Sequence, residues 1–267
     1  MTHHDPTDPT ARVSSHEVEV PGSPEEVWRA VATGPGIATW FVPAQVEERE
    51  GGRIVTDHGP YGKSEGVVTV WEPPHRFAYE EAGWNPDRAD APPWATELRV
   101  EARGGGICRV RLVSGFFTGG EDWERHLDST HEGWTAALRN LRLALTHFPG
   151  GAAAVLAATG TVGDRTPDDV ARELFAALGL AGVGLGAPVD VPGLSGAVVH
   201  ADPRAVTVHT AEPHPGLVEF AVFGFNGATV AVRGHLFCED AGPVAEREGP
   251  RWTAWLAAHV AGFTPLT

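Results

Sequence analysis

The stretch HEGWTAALRNL, residues 131–141, has the periodicity of an amphipathic helix and lies within a helical pattern that runs from Glu121 to Phe148. Large apolar residues recur three or four positions apart, and charged residues fall between them. The apolar positions are Trp123, Leu127, Trp134, Leu138, Leu141 and Leu145. Pro149 and two glycines end the pattern. A helix this long needs an equally long apolar surface to cover its apolar face.

Six short segments before the helix predict that surface as an antiparallel sheet. They cover residues 44–50, 52–58, 64–74, 75–82, 95–103 and 107–117, and breaks rich in glycine and proline separate them. Their apolar residues alternate with polar ones or form short runs, which is typical of strands. Residues 17–20 predict an earlier strand, and Ser23, Pro24 and Glu26 have the spacing of a helix start with a capping box. A second short helix, GPGIATWF, follows.

The second half of the chain repeats this order of elements. TPDDVARELFAAL at residues 166–178 resembles the first helix start, with Thr166 as cap and Asp169 at the box position, and Trp-Thr-Ala-x-Leu occurs at 134–138 and again at 252–256. Four strand-like runs separate these marks. The interval from Ser23 to Trp134 is 111 positions and that from Thr166 to Trp252 is 86, a difference of 25 or about one hairpin. We predict two homologous domains, the second one shortened.

Several sequence motifs in the first half of the chain resemble those of a known superfamily. SPEEVWRAVATGPGIATWF (23–41), GGRI (51–54), GKSEGVVTVWEPPHRFAYEEAGW (62–84) and HEGWTAALRNL are similar to the SRPBCC, or START-related, superfamily. The resemblance is to the branch named after the activator of the heat-shock-protein ATPase, and it covers about residues 13–148. It implies the α+β helix-grip fold, a curved antiparallel sheet wrapped around a long C-terminal helix, with a cavity between them that holds an apolar molecule in many relatives.

The resemblance leaves the function open. The branch includes a co-chaperone domain, aromatic polyketide cyclases, a self-sacrificing enediyne-resistance protein and lipid carriers, so the fold does not determine the activity. We expect residues 1–12 to form a disordered tail, 13–149 a helix-grip domain, and 150–267 a shortened, divergent copy. The shorter copy would leave a sheet edge that the first domain or a second chain, in a homodimer, has to cover.

Alternation along the strands predicts which residues face the long helix. These are Val68, Val70, Phe77, Tyr79, Leu98, Val110, Leu112 and Phe116, opposite Trp123, Leu127 and Trp134. If sheet and helix stand apart, these side chains line a ligand pocket; if they close on each other, they form an ordinary core. Trp84 and Trp94 bracket a long polar loop, where they either stack on a flat ligand as a lid or pin the loop to the sheet.

Three polar residues are candidates for acid–base chemistry. Tyr79 and Glu81 share a strand face with Phe77, and a carboxyl group inside an apolar cavity would have a raised pKa. The alternative is that Glu81 lies in water at the strand end. His58, next to Asp57 and near Tyr61, would lie at the cavity mouth or in a polar turn.

Other classes of function find no support in the sequence. A net charge of −15 argues against nucleic acid and anionic lipid as partners. No spacing of histidine, cysteine or carboxylate predicts a metal site, and no motif indicates a cofactor. Cys108 and Cys238 are expected to be core residues. The start lacks the pattern of a signal peptide, and no apolar run would span a membrane, so we expect a soluble cytoplasmic protein.

Three hypotheses follow. The leading one is binding of a hydrophobic small molecule, of aromatic or polyketide-like type, in the first domain. The second is a cyclase, dehydratase or hydrolase of the same ligand class, which uses Glu81, Tyr79 or His58 without a metal. The third is a co-chaperone-like interaction module.

Overall fold

The computed structural model describes residues 12–82, 93–116, 124–224, 227–237 and 239–266. The chain divides into two compact units, residues 1–150 and 151–267. The expected tail, residues 1–12, lies almost entirely outside the described part, as do Trp84, Trp123 and Cys238.

The first unit has the predicted order of elements. It consists of β1 (Arg12–Pro21), α1 (Pro24–Ala32), α2 (Gly34–Ile37), β2 (Ala44–Val46), β3 (Arg53–Asp57), a 3-10 turn (Gly59–Tyr61), β4 (Lys63–Glu72), β5 (Arg76–Glu81), β6 (Trp94–Gly104), β7 (Ile107–Phe116) and α3 (Glu124–His147). The strands form one antiparallel sheet in the order β1-β7-β6-β5-β4-β3-β2. Helix α3 packs along β1, and its buried face includes Trp134, Leu138, Leu141 and Leu145. This confirms the helix-grip fold.

Local sequence explains where the first helix begins. The Ser23 hydroxyl accepts a hydrogen bond from the Glu26 backbone N–H at 3.3 Å, and the Glu26 carboxylate accepts one from the Ser23 backbone N–H at 2.8 Å. Both halves of the predicted capping box are therefore present, and Pro24 follows the cap. The buried face of α1 then contributes Val27, Trp28 and Val31 to the interior.

The second unit repeats the arrangement in a shorter form. Its elements are β8 (Ala153–Val162), α4 (Pro167–Leu178), β9 (Pro188–Val191), β10 (Leu194–Ala201), β11 (Ala205–Glu212), β12 (Gly216–Gly224), β13 (Ala228–Phe237), α5 (Ala241–His259) and β14 (Phe263–Pro265). The antiparallel sheet has the order β14-β8-β13-β12-β11-β10-β9. Helix α5 carries the second Trp-Thr-Ala-x-Leu and packs along β8, as α3 packs along β1. Two tandem copies of the fold are therefore present.

The shortening differs from the predicted loss of one hairpin. Between α4 and α5 the structure has five strands, where the sequence indicated four and the first unit has six. The strand not predicted is β9, a segment of four residues that starts at Pro188 and is followed by Pro192. Its shortness and its flanking prolines hid it, and the same features protect an edge strand from pairing with other chains. The seventh strand, β14, pairs with β8 at the opposite edge.

The second helix cap also differs in detail. Thr166 Oγ1 accepts a hydrogen bond from the Asp169 backbone N–H at 3.2 Å, as predicted. The Asp169 carboxylate accepts a bond from the Thr166 hydroxyl at 2.8 Å instead of reaching the backbone of the cap residue. Asp is one methylene shorter than the Glu26 that completes the box in α1, which accounts for the difference.

Candidate functional site

The inner face of the first sheet is organised in rows that cross the strands. One row is Tyr79, Thr96, Ser114 and Ser14, which are successive register partners on β5, β6, β7 and β1. The adjacent row is Phe77, Leu98, Leu112 and His16. Phe77, Leu98 and Leu112 are buried, and His16 Nδ1 lies 3.4 Å from the Thr135 hydroxyl of α3. The inner face therefore combines apolar side chains with a line of hydroxyl groups.

These hydroxyl groups form a buried hydrogen-bonded chain. The indole N–H of Trp94 donates to Ser114 Oγ at 2.6 Å, and Ser114 Oγ lies 3.0 Å from Thr96 Oγ1. Thr96 in turn forms a hydrogen bond with Tyr79. Burial, and then the negative charge of Glu81, raise the pKa of the Tyr79 phenol far above its usual value, so Tyr79 stays protonated at neutral pH. All four groups are therefore neutral hydrogen-bonding groups within the sheet-helix interior.

Glu81 lies two residues after Tyr79 on β5 and interacts with β4. Burial raises the pKa of its carboxyl group, and a hydrogen bond with the Ser64 side chain partly opposes that shift. Gly66 is its register partner, and a Cβ at Gly66 would lie 2.5 Å from the Glu80 carbonyl oxygen and 3.0 Å from Glu81 Cγ. Glycine at this position therefore provides the space that the Glu81 side chain occupies. Glu81 is half-buried at the end of β5, and its raised pKa agrees with partial shielding from water.

A second set of contacts links His58 to the part of the sheet that holds Ser64. Its Nε2 is 3.0 Å from Thr56 Oγ1, and Thr56 is the register partner of Ser64. The His58 ring contacts the edge of Phe41 at 5.7 Å between centroids. Asp57 does not pair with His58 among the described contacts. Its carboxylate accepts from the Gly59 backbone N–H at 3.0 Å and forms an ion pair with Lys63 at 3.4 Å, which is the role of a turn residue.

An aromatic stack joins this region to α3. Phe41 stacks on Trp134 with 4.9 Å between centroids and on Trp40 with 5.7 Å, each at an interplanar angle of 29°. Trp134 is 7% exposed, and its Nε1 is buried with no hydrogen-bond acceptor among the described residues. A buried donor without an acceptor costs about 1–3 kcal/mol. The indole N–H of Trp134 is therefore a buried donor whose hydrogen-bonding capacity the described residues leave unused.

The structure corrects one of the predicted inward positions. A β-bulge in β4 lies between Val68 and Val70, so that Val68 pairs with Tyr79 but Val70 pairs with Ala78. Because Ala78 faces away from Phe77 and Tyr79, Val70 lies on the outer face of the sheet. Trp71 takes the inner place, pairs with Phe77 and contacts Trp28 of α1 at 5.1 Å between centroids. The interior is closed at this end by three aromatic rings.

The remaining predicted positions fall into two groups. Val68, Phe77, Tyr79, Trp94, Leu98, Val110, Leu112 and Trp134 are buried in the first unit. Trp84 and Trp123, and the side chains of Phe116 and Leu127, lie outside the described residues. Trp94 is hydrogen-bonded into the sheet, which favours the interpretation that it pins the start of β6. Sequence reasoning missed Thr96, Ser114 and Phe41; the first two share the strand parity of Leu98 and Leu112, and that parity was the available signal.

The second unit has a different interior. The inner row that crosses its central strands consists of Val206, Phe220, Val232 and Ala158. Trp252, the counterpart of Trp134, packs edge-on against Phe220 at 5.2 Å between centroids. A continuous apolar cluster of buried side chains surrounds this pair. The inner polar groups discussed above are thus features of the first unit.

Two further properties bear on function. Within the described ranges, no group of three or more His, Cys, Asp and Glu side chains is arranged to hold a metal ion. None of the helices in the described part of the chain combines the length and apolar character required to cross a membrane.

Comparison with known proteins gives the following matches. CalU16 from Micromonospora echinospora is 24% identical over 51% of this chain and 79% of its own, with a TM-score of 0.42. DynU16, a protein of the dynemicin biosynthetic locus, is 18% identical over 92% of this chain and 97% of its own, with a TM-score of 0.44. The di-domain ARO/CYC BexL from the BE-7585A biosynthetic pathway is 14% identical over 93% and 95%, with a TM-score of 0.44. No curated protein matches the chain.

A family model described as Activator of Hsp90 ATPase homolog 1-like protein matches residues 21–146. This range begins at the end of β1 and ends in the last turn of α3, so it coincides with the helix-grip unit described above. The match confirms the resemblance that the sequence motifs indicated. The first unit is thus similar, over residues 21–146, to the family of Activator of Hsp90 ATPase homolog 1-like proteins.

Proposed function

We propose that the first unit binds a hydrophobic, planar aromatic small molecule of polyketide-like type between the inner face of its sheet and α3. The observation that carries this proposal is the half-buried carboxyl group of Glu81, which hydrogen-bonds with Ser64 and forms no ion pair with a Lys, Arg or His of the described residues. Shielding a carboxyl group from water without a counter-charge costs folding free energy, so its position points to a role other than stability. Recognition of polar groups on an otherwise apolar ligand is such a role.

The aromatic residues supply the apolar half of the proposed site. Phe41 and Trp134 present stacked rings, and Phe77 and Tyr79 lie 5.5 Å apart between centroids on the inner face of β5. Aromatic side chains of this kind favour stacked or edge-on contact with flat rings. The proposed ligand therefore lies among aromatic rings with its polar groups toward the hydroxyl chain.

Two neighbouring valines on β4 allow a sharp test. Val68 faces the interior and is 1% exposed, whereas Val67 faces solvent and is 52% exposed. Saturable binding of a planar aromatic compound such as 9-fluorenone, measured by isothermal titration calorimetry, is expected for the wild-type chain and for Val67→Phe. Val68→Phe fills the interior and is expected to abolish binding while circular dichroism shows a folded protein. Absence of saturable binding to the wild-type chain by any of a panel of flat aromatic compounds would refute the proposal.

A second candidate function is acid–base catalysis on the same ligand, of the cyclase, dehydratase or hydrolase type. It is favoured by the raised pKa of Glu81, since a carboxyl group with a raised pKa is better suited to act as a general acid. Tyr79 and His58 are the neighbouring proton donors or acceptors. Glu81→Gln would then abolish turnover of a bound compound and retain its binding, whereas equal turnover by both proteins would exclude this role for Glu81.

The exposed apolar side chains give less support to a co-chaperone-like role. Among the described residues of the first unit, the large exposed hydrophobic side chains are Tyr61, Val67 and Ile107. They lie on the 3-10 turn, on β4 and at the start of β7. Isolated exposed apolar residues are normal on a monomer and do not by themselves indicate a partner surface.

A further inference from the structure

The indole N–H of Trp134 differs from those of Trp40 and Trp94, two other buried tryptophans of the first unit. Trp40 donates to the Ala30 carbonyl oxygen at 2.9 Å, and Trp94 donates to Ser114 Oγ at 2.6 Å. Trp134 is as buried as Trp94, at 7% exposure, yet its Nε1 has no acceptor within the described part of the chain. The fold thus satisfies the Trp40 and Trp94 donors and leaves that of Trp134 without an acceptor among the described residues.

The stacking geometry shows that the ring of Phe41 does not serve as a substitute acceptor. An indole N–H lies in the plane of its ring, and Phe41 lies over the face of Trp134 at an interplanar angle of 29°. A donor in the plane cannot point at a ring that is nearly parallel to that plane. The N–H is therefore directed past the edge of the aromatic stack.

The charges of the interior restrict the acceptor that would fit. The buried polar residues of the first unit that the structure describes are His16, Thr39, Thr56, Thr96 and Ser114, and neither lysine nor arginine occurs among them. Glu81 adds a half-buried carboxyl group at the end of β5. A ligand carboxylate would lose its hydration with neither a lysine nor an arginine of this set to pair with, which is costly, whereas a neutral carbonyl oxygen carries no charge that needs a partner.

We propose that Trp134 is a specificity-determining residue whose indole N–H donates a hydrogen bond to a neutral carbonyl oxygen on a planar aromatic ligand. This inference rests on the proposed function and deepens it, because it defines the ligand class as neutral aromatic ketones or quinones. The stack of Trp40, Phe41 and Trp134 supplies the flat surface, and the N–H at its edge selects the oxygen.

The test compares three ring systems of the same shape: fluorene, 9-fluorenone and 9-fluorenone-2-carboxylate. Dissociation constants are measured by isothermal titration calorimetry for the full-length wild-type chain, for Trp134→Phe and for Trp252→Phe. Trp252→Phe is the matched control, since it alters the same Trp-Thr-Ala-x-Leu motif in the second unit. One hydrogen bond is expected to make the wild-type chain bind fluorenone about tenfold tighter than fluorene. The preference is expected to disappear in Trp134→Phe and to persist in Trp252→Phe, and the carboxylate is expected to bind more weakly than fluorenone.

The outcomes separate this inference from the proposed function. Equal affinity of the wild-type chain for fluorene and fluorenone, or a ketone preference that survives in Trp134→Phe, would overturn the role of Trp134 and leave ligand binding intact. Failure of the wild-type chain to bind either compound would overturn the proposed function itself. If Trp134→Phe does not fold, the indole resonances of the 15N-labelled wild-type chain decide: fluorenone, but not fluorene, is expected to shift the Trp134 N–H signal downfield, and equal shifts would overturn the inference.

Discussion

The indole N–H of Trp94 donates a 2.6 Å hydrogen bond to the hydroxyl group of Ser114, and both side chains are buried. Ser114 is also 3.0 Å from the Thr96 hydroxyl, so a single oxygen atom connects β6 and β7 inside the first unit. The Trp94 N–H is buried away from water. Removing its acceptor should therefore cost more free energy of folding than removing an exposed hydroxyl group. The strength of this connection can be measured directly.

We expect Ser114→Ala to lower the free energy of unfolding of the first unit by about 1–3 kcal/mol, since the Trp94 N–H loses its acceptor and stays buried. The measurement is urea denaturation followed by circular dichroism. Ser15→Ala is the matched control on β1, where the exposed hydroxyl group accepts only a 3.3 Å bond from Arg111, and we expect a change within about 0.5 kcal/mol. Equal effects of the two substitutions would show that the buried chain contributes little.

Glu81 is expected to make stability depend on pH in an unusual direction. Burial raises its pKa above the ordinary value of 4.5, so the folded protein holds this proton to a higher pH than the unfolded chain. As the pH rises through and above about 4.5, the unfolded chain releases the proton first, and stability falls until the folded carboxyl group ionises as well. Below that range both states are protonated, and the group makes no difference.

Glu81→Gln should therefore stabilise the protein relative to wild type by an amount that is near zero at pH 4, grows as the pH rises, and then levels off. Urea denaturation at a series of pH values measures this difference. Glu72→Gln, at an exposed position on β4, controls for the removal of one negative charge from a chain of net charge −15. A stability difference for Glu81→Gln that does not change with pH would contradict a raised pKa.

The order of elements was predictable because burial imposes a period on the sequence. The shared parity of Phe77 and Tyr79 follows from alternation along one strand, and both side chains are buried. The bulge in β4 was not predictable, because Val67, Val68, Thr69 and Val70 all favour strands and none marks the extra residue. Trp71, and not Val70, therefore faces inward because of how β4 pairs with β5. That pairing cannot be deduced from the sequence of β4 alone.

The site depends still more on tertiary placement. Phe41 lies after a short helix, where no period predicts the direction of a side chain, and it meets Trp134 from an element about ninety positions away. That the Trp134 N–H lacks an acceptor is a property of distances among several elements. Sequence patterns identify Trp134 as an apolar anchor of α3 and cannot show that its polar atom is left available.

Gly66 provides a further test of how the space around Glu81 is maintained. We expect Gly66→Ala to lower the free energy of unfolding by about 1–3 kcal/mol, because its Cβ would lie 2.5 Å from the backbone oxygen of Glu80, which cannot move independently of the sheet. Gly133→Ala is the contrasting control in α3, with no atom within 4 Å of the new Cβ. We expect it to stabilise the helix by about 0.5–1 kcal/mol. Destabilisation by both substitutions would indicate that neither effect is local.

The last strand, β14, covers an edge that would otherwise be available for pairing. Its residues Phe263, Thr264 and Pro265 pair with Val162, Thr161 and Gly160 of β8. A Cβ at Gly160 would lie 2.3 Å from Phe263 Cε2 and 2.5 Å from the Thr264 carbonyl oxygen. The absence of a side chain at Gly160 therefore allows β14 to dock, and an uncovered β8 would present free backbone groups to another chain.

We expect Gly160→Ala to displace β14 and to cause association that increases with protein concentration. Light scattering coupled to gel filtration measures the mass, and hydrogen exchange measures protection of the β8 amides. Gly184→Ala is the control, because it lies in an exposed loop with no atom within 4 Å of the added Cβ, and its mass should match that of the wild-type chain. The opposite edge strand, β9, is short and bounded by Pro188 and Pro192, so we expect it to take no part in the association. A Gly160→Ala protein with wild-type mass and full protection of β8 would show that β14 is not what keeps this edge from pairing.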